Sequence, residues 1–194
     1  MLSDQGRVLL SYADRLLRLS DEAQAAVRDG APQGVLRIGT MESTAAARLP
    51  PILAAYHAAW PQVGIELVTG TSCALAAKVR NYEIEAAFVA QPFPADGLAA
   101  IDAFKEELTL ISPLAWGAIT SARDLGDRTV IAFAAGCSYR RILESWLNHE
   151  GLAPGRVMEF ASYHAIVACV AAGSGVAIVP RSVLAVLGAE HSVC

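Results

Sequence analysis

Apolar residues near the amino terminus recur at spacings that are mostly three and four. This spacing places them on one seam of a long helix, with charged residues such as Arg7 and Asp14 off the seam. The seam consists of Leu2, Leu9, Tyr12, Leu16, Leu19, Ala23 and Ala26. It favours pairing with a partner helix, although packing on its own domain remains an alternative. The segment Gly30-Ala31-Pro32-Gln33-Gly34 then indicates a hinge, so residues 1–30 are predicted to form a linker helix for dimerisation.

From Val35 onward, short apolar runs alternate with segments of helical periodicity. Strands are predicted at residues 35–38, 64–68, 86–90, 108–112, 129–133, 156–160 and 176–179. Helices are predicted at residues 43–60, 72–82, 138–149, 163–172 and 182–187. Repeated βαβ units imply a parallel sheet with helices on its faces. We therefore expect an α/β protein with two lobes, at residues 34–103 and 104–194.

Small hydroxyl residues and glycines collect where the predicted strands end. Ligands of open α/β sheets bind outside the carboxyl ends of the strands. Four serines occupy predicted helix N-cap positions, namely Ser43, Ser72, Ser138 and Ser162. They could be caps and nothing more. Several helix N-termini meeting at one cleft would also suit a carboxylate or another anion.

Composition and charge exclude several classes of protein. Hydrophobic residues make up 54% and charged residues 18%, with a net charge of −4, which argues against a basic nucleic-acid-binding face. No apolar run reaches the roughly 18 residues of a membrane span, and the start of the chain is too charged for a signal peptide. The four cysteines are widely separated and form no CxxC, so a reduced, cytoplasmic protein is expected. No nucleophile-elbow, phosphate-loop or zinc motif occurs in the sequence, and we expect neither an enzyme nor a metal or cofactor.

Four stretches occur in an order that resembles a known family: "VLRIGTMESTAAARLPPILAAYHAAWPQVGIELVTGTS", "EAAFVA", "GCSYRRILESWL" and "SYHAIVACVAAGSGVAIVP". Together they are similar to the effector-binding domain of LysR-type transcriptional regulators. The opening "LSDQGRVLLSYADRLLRLSDEAQAAV" resembles the end of the wing and the linker helix of that family. The resemblance implies a type 2 periplasmic-binding-protein fold, with two lobes around a cleft. The family's winged helix-turn-helix is absent, and so are its last strand and helix, which return to the first lobe. We therefore expect an incomplete first lobe, and contact with promoter DNA only through a domain absent from this chain.

The resemblance also assigns residues to an effector pocket and to a dimer interface. The implied pocket residues are Thr40, Met41, Glu42, Ser43, Thr44, Thr71, Ser72, Gln91, Cys137 and Ser138. The family pairs the first-lobe helix of one subunit with the second-lobe helix of the other, and the linker helices pair as well. The implied interface residues are Leu9, Tyr12, Leu16, Leu19, Tyr56, Trp60, Ile142 and Trp146.

Three functions from different classes fit these observations. The first is a regulatory domain, working as a homodimer or homotetramer, that senses a small anionic metabolite between its lobes. The second is a stand-alone solute-binding protein with the same fold. The third is a redox sensor at Cys137, because a thiol at a helix N-terminus can have a lowered pKa, and the resemblance includes regulators that sense peroxide through a cysteine.

Overall fold

The structure, a computed structural model, describes residues 2–27, 31–117 and 119–194. Its helices are α1 (Asp4–Ala26), α2 (Glu42–Ala47), α3 (Leu49–Ala59), α4 (Ser72–Arg80), α5 (Ser138–His149), α6 (Tyr163–Ala171) and α7 (Arg181–Leu187). Its strands are β1 (Gly34–Thr40), β2 (Val63–Thr69), β3 (Ala86–Phe88), β4 (Leu108–Ile111), β5 (Val130–Ala132), β6 (Val157–Glu159) and β7 (Ala177–Pro180). Two 3-10 turns cover Leu114–Trp116 and Ala122–Leu125. We call β1–β3 with α2–α4 lobe I, and β4–β7 with α5–α7 lobe II.

Lobe I has a parallel sheet, as the βαβ pattern predicts. Strand β1 lies between β2 and β3, and its register with β2 runs from Gly34 opposite Val63 to Thr40 opposite Thr69. The buried Leu75 of α4 and Ile84 pack under β1. A side chain at Gly39 would bring its Cβ to 2.5 Å from Ile84 Cδ1, so this close packing depends on glycine.

Lobe II departs from the expected parallel arrangement. Strands β5 and β6 are parallel, and a bridge between Val130 and Val176 places β7 beside β5. Strand β4, however, pairs with β7 in the antiparallel direction. The chain reaches β4 from the irregular segment 89–107 and not through a helix, so the rule that makes βαβ units parallel does not apply to it. The core contains the fully buried Ile131, Val170 and Val179.

The prediction of a single helix over residues 43–60 is wrong. The structure has two helices there, because α2 ends before Arg48 and α3 begins after it. Arg48 itself has φ −118° and ψ −40°. Pro50 and Pro51 are the cause, because proline lacks an N–H and its ring clashes with the carbonyl four residues earlier. The prolines are accommodated in the first turn of α3, where no such bond is needed.

The apolar stripe predicted for this segment is only partly used within the chain. Leu49 is buried, but Tyr56 is only half-buried and Ile52 and Trp60 are exposed. In α5, by contrast, Ile142 and Trp146 are half-buried and pack against the core of lobe II. Their assignment to a dimer interface remains a prediction.

Helix α1 exposes the residues assigned to its seam. The exposed fractions of Leu9, Tyr12, Leu16 and Leu19 lie between 56% and 70%. These residues are therefore not packed on their own domain. Gly30 of the predicted hinge lies outside the described residues, and so does the side chain of Ala26. Within the described ranges, no helix is both long and apolar enough to cross a membrane.

Candidate functional site

A narrow cleft lies between the two lobes, where strands β1, β2 and β5 end. Its volume is about 20 Å³, which leaves room for about one water molecule. Lobe I contributes Met41, Glu42, Ser43, Gly70, Thr71 and Ser72 to its walls, and lobe II contributes Phe133, Cys137, Tyr139 and Tyr163. The cleft is closed by direct packing, because Met41 belongs to the same apolar cluster as the lobe II residues Cys137, Tyr139 and Tyr163.

A larger open basin in lobe II is not the candidate site. It has a volume of about 580 Å³ and lies at the amino ends of β5 and β6, opposite to the end where ligands of such sheets bind. Two of its arginines have partners within the chain: Arg123 forms an ion pair with Glu150, and Arg128 stacks on the ring of Trp116.

The backbone of Ala90 is held between a serine from each lobe. Its N–H donates to the hydroxyl of Ser72 at 3.2 Å, and that hydroxyl donates to the Met41 sulfur at 3.3 Å. The Ala90 carbonyl accepts from the hydroxyl of Ser138 at 2.7 Å, and the Pro92 carbonyl accepts from the same hydroxyl at 3.0 Å. The two fully buried serines therefore join lobe I to lobe II through the backbone of one residue, Ala90.

The structure corrects the predicted N-cap position for three of the four serines and confirms it for Ser162. The N-cap residues are Met41, Thr71, Cys137 and Ser162. Ser43, Ser72 and Ser138 thus lie inside the first turn of their helices, and the side chain of Ser162 makes no capping bond. The hydroxyl of Thr71 does cap α4, since it accepts from the N–H of Ala74 at 3.3 Å.

Glu42 crosses the cleft from lobe I to lobe II. Its Oε1 accepts from the backbone N–H of Tyr163, the first residue of α6, at 3.4 Å. Its Oε2 is buried and has no hydrogen-bond partner among the described residues. Burial raises the pKa of Glu42, while the Tyr163 amide and the charge of His164 act in the opposite direction.

Aromatic side chains form the lobe II wall of the cleft. The rings of Phe133 and Tyr163 lie 4.7 Å apart between centroids. Burial raises the pKa of Tyr139 to about 12 and raises that of Tyr163 as well, so both phenols are neutral at ordinary pH. Ser43 acts in the opposite direction and lowers the pKa of both tyrosines, but burial outweighs it.

The cleft lining can be compared with the residues that the resemblance assigned. Met41, Glu42, Ser43, Thr71, Ser72 and Cys137 line the cleft. Thr40, Thr44 and Ser138 are buried beside it, and Gln91 is exposed. Their contact with a ligand remains a prediction.

Four lining residues were not assigned from the sequence: Gly70, Phe133, Tyr139 and Tyr163. Their positions in the sequence could have identified them, because each lies within two residues of a strand end or a helix start.

Cys137 is poorly suited to redox sensing. It is buried, and burial raises the pKa of its thiol, although the nearby backbone amides of Arg140 and Tyr139 and the charge of Arg140 act in the opposite direction. A raised pKa disfavours the thiolate, which is the reactive form. All four cysteines are unpaired, and the described residues hold no group of three or more potential metal ligands.

Comparison with known proteins identifies relatives over nearly the whole chain. The model of the LysR substrate binding domain matches residues 29–194. The HTH-type transcriptional regulator GltR of Bacillus subtilis (strain 168) is 40% identical over 185 residues, which cover 95% of this chain and 62% of that protein. The HTH-type transcriptional regulator SoxR of Arthrobacter sp. (strain TE1826) is 35% identical over 98% of this chain and 64% of its own length. The chain thus spans less than two thirds of these curated relatives.

Solved structures support the same fold at low sequence identity. The cofactor-binding domain of the Cbl transcriptional regulator superposes with a TM-score of 0.70 at 22% identity, covering 87% of this chain and 78% of that one. The regulatory domain of Synechocystis PCC6803 CcmR, solved in complex with 2-PG, gives a TM-score of 0.67 at 22% identity, covering 83% and 79%. The two-lobed fold expected from the sequence is confirmed. With the family model covering residues 29–194 and relatives at 35–40% identity, the chain belongs to the LysR substrate-binding family of HTH-type transcriptional regulators.

Proposed function

We propose that this chain is the effector-sensing part of a LysR-type transcriptional regulator, and that it binds a small metabolite with an acidic group between its lobes. The observation that carries this proposal is the cleft at the carboxyl ends of the strands, which both lobes line. Ligands of parallel sheets occupy this position. The related fold of CcmR was solved with 2-PG bound, which supports a small-molecule role for such a domain.

The acidic group is favoured by the helices that begin at the cleft. Helices α4, α5 and α6 start there, and the dipole at each amino terminus favours a negative charge. Among the described residues, two of these amides have long bonds: that of Ala74 to the Thr71 hydroxyl at 3.3 Å and that of Tyr163 to Glu42 at 3.4 Å. A ligand carboxylate or phosphate would be a stronger acceptor for these amides.

Binding requires the lobes to separate, since the cleft has a volume of only about 20 Å³. Small-molecule sites usually measure about 300–1,000 Å³. The contacts that would change are those that cross the cleft, from Ser138 to Ala90 and from Glu42 to Tyr163. An effector shifts this equilibrium only by the difference between its affinities for the closed and open forms.

When the lobes separate on effector binding, the angle between them changes. The exposed helix α1 would transmit this change. Its apolar surface, which includes Leu9 and Leu16, suits pairing with α1 of a second copy. We assign promoter binding to the part of the longer relatives that this chain does not match.

A thermal-shift screen of organic acids, amino acids and inorganic anions tests the proposal. A ligand present at about 100 times its Kd should stabilise the protein by roughly 2.7 kcal/mol, which raises Tm by roughly 5–10 °C. Sodium chloride at equal ionic strength is the control for nonspecific salt effects. If no compound raises Tm above this control, the proposed function is wrong.

A further inference from the structure

Glu42 gives the cleft its charge. Among the described residues that line the cleft, it alone carries a formal charge at neutral pH, and its neighbours are hydroxyl, aromatic, sulfur-containing or glycine residues. A ligand that enters this space therefore meets one carboxylate and no cationic side chain.

This carboxylate has too few partners for its position. Oε1 has only the long 3.4 Å bond from the Tyr163 amide, and Oε2 is buried without any partner among the described residues. Buried polar atoms are nearly always hydrogen-bonded, so an orphaned carboxylate oxygen in a cleft indicates a missing donor.

Nearby cations are engaged elsewhere. Arg140 forms ion pairs with Glu144 and Glu159, and Arg48 forms one with Glu106. Glu42 itself forms no ion pair within the described part of the chain, and His164 acts on it only through its charge. Since no described residue supplies the donor, we infer that it comes from outside the chain.

We propose that the effector carries a protonated nitrogen that donates to Oε2 of Glu42, in addition to the acidic group of the proposed function, on which this inference rests. The effector class is then an amino acid or a similar zwitterion. A hydroxyl group would satisfy the oxygen but would leave the negative charge uncompensated in the cleft. The rings of Phe133 and Tyr163 line the same cleft, and aromatic faces attract cations.

Matched pairs of ligands test the nitrogen directly. Amino acids are compared by thermal shift and calorimetry at pH 7.5 with the acids that lack only the amino group, such as L-alanine with propionate and 4-aminobutyrate with butyrate. At least one amino compound should bind, and its deaminated partner should bind at least about tenfold more weakly, because a charge-assisted hydrogen bond is lost.

The variant Glu42→Gln tests the residue. It keeps the shape and the acceptor for the Tyr163 amide but removes the charge. Affinity for the amino compound should fall at least about tenfold, while affinity for the deaminated acid should not fall. The matched control is Glu66→Gln on β2, an exposed carboxylate outside the cleft, which should leave both affinities unchanged.

The possible outcomes separate this inference from the proposed function. If the deaminated acids bind as tightly as the amino compounds, the inference is wrong and the effector-sensing function stands. If neither class binds, the inference is wrong, and the proposed function is wrong as well unless an inorganic anion raises Tm in the thermal-shift screen. Should Glu42→Gln fail to fold, the matched ligand pairs still decide the question, because they use the unaltered chain.

Discussion

Gly175 permits a close backbone approach in lobe II. A Cβ at this position would lie 2.3 Å from the carbonyl oxygen of Thr129, at the point where the segments before β7 and β5 meet. The oxygen belongs to the main chain, so it cannot rotate away. We expect Gly175→Ala to lower the free energy of unfolding by roughly 1–3 kcal/mol, measured by urea denaturation.

A second glycine provides the control for that measurement. An added Cβ at Gly155 would meet nothing within 4 Å, and its φ lies outside the left-handed region. Gly155→Ala should change stability by no more than about 0.5 kcal/mol. If the two substitutions change the free energy of unfolding equally, the close contact with Thr129 does not determine the cost of Gly175→Ala.

The half-buried carboxyl of Glu42 should make stability depend on pH. Because burial raises its pKa, the folded protein binds this proton more tightly than the unfolded chain does. The penalty for the ionised form is present above the folded-state pKa and is relieved as the pH falls through that pKa toward the ordinary value of 4.5. The exposed His164 and the Tyr163 amide, which both face Glu42, reduce this penalty without removing it.

Without ligand, Glu42→Gln should therefore melt at a higher temperature than the unaltered protein at pH 7.5. The amide still accepts from Tyr163, and leaving its NH₂ unpaired costs less than burying a charge. The difference in Tm should shrink as the pH approaches 4.5. A difference that grows on acidification would mean that the ionised carboxylate stabilises the fold.

Individual residues show what sequence can and cannot predict about the site. The positions of Met41, Thr71 and Cys137 follow from the ends of apolar runs, and all three line the cleft. Hydrogen-bond roles do not follow, because helix starts are uncertain by one or two residues. The N-caps of α4 and α5 lie one residue earlier than predicted, at Thr71 and Cys137. Ser72 and Ser138 therefore form hydrogen bonds with the backbone of Ala90 and do not cap their helices.

At the level of elements, Arg140 fastens the start of α5 to two strands. Its guanidinium binds Glu144 on the same helix, Glu159 on β6 and the carbonyl of Phe133 after β5. Only 16% of its side chain is exposed, so the bonds to Glu144 and Phe133 are partly shielded from water, whereas Glu159 is 52% exposed. Arg140→Met should destabilise the protein by about 1–2 kcal/mol, measured by chemical denaturation.

The neighbouring arginine is the matched control. Arg141 is exposed and makes one long bond, 3.3 Å, to the carbonyl of Pro92. Arg141→Met should cost less than about 0.5 kcal/mol. If both substitutions cost the same, the network around Arg140 contributes no more than a surface side chain.

The elements themselves were largely predictable, with two informative exceptions. Apolar periodicity identified each strand and all the major helices, since buried faces require it. The break at Arg48 was missed because the apolar spacing continues across it, while Pro50 and Pro51 override that pattern locally. The direction of β4 was not predictable, because its pairing with β7 joins residues about 70 positions apart.

For the whole molecule, the apolar surface of α1 predicts self-association. Replacing Leu9 and Leu16 together by lysine puts charge into the seam, so the mass measured by light scattering should fall to that of a monomer. The control places lysines on the opposite side of the helix, at the exposed Asp14 and Asp21, and should leave the mass unchanged. A monomer already in the unaltered protein would instead favour a stand-alone solute-binding role.

The closed cleft also has a consequence for the speed of response. A cavity of about 20 Å³ admits no metabolite, so a ligand can enter only during excursions of the lobes to an open form. The observed association rate would then rise with concentration and level off at the rate of opening, and the apparent Kd would exceed the intrinsic one by the reciprocal of the open fraction. Substitutions that weaken the hydrogen bond from Ser138 to Ala90 would raise this limiting association rate. The strength of this bond would therefore determine how quickly the protein responds to a change in ligand concentration.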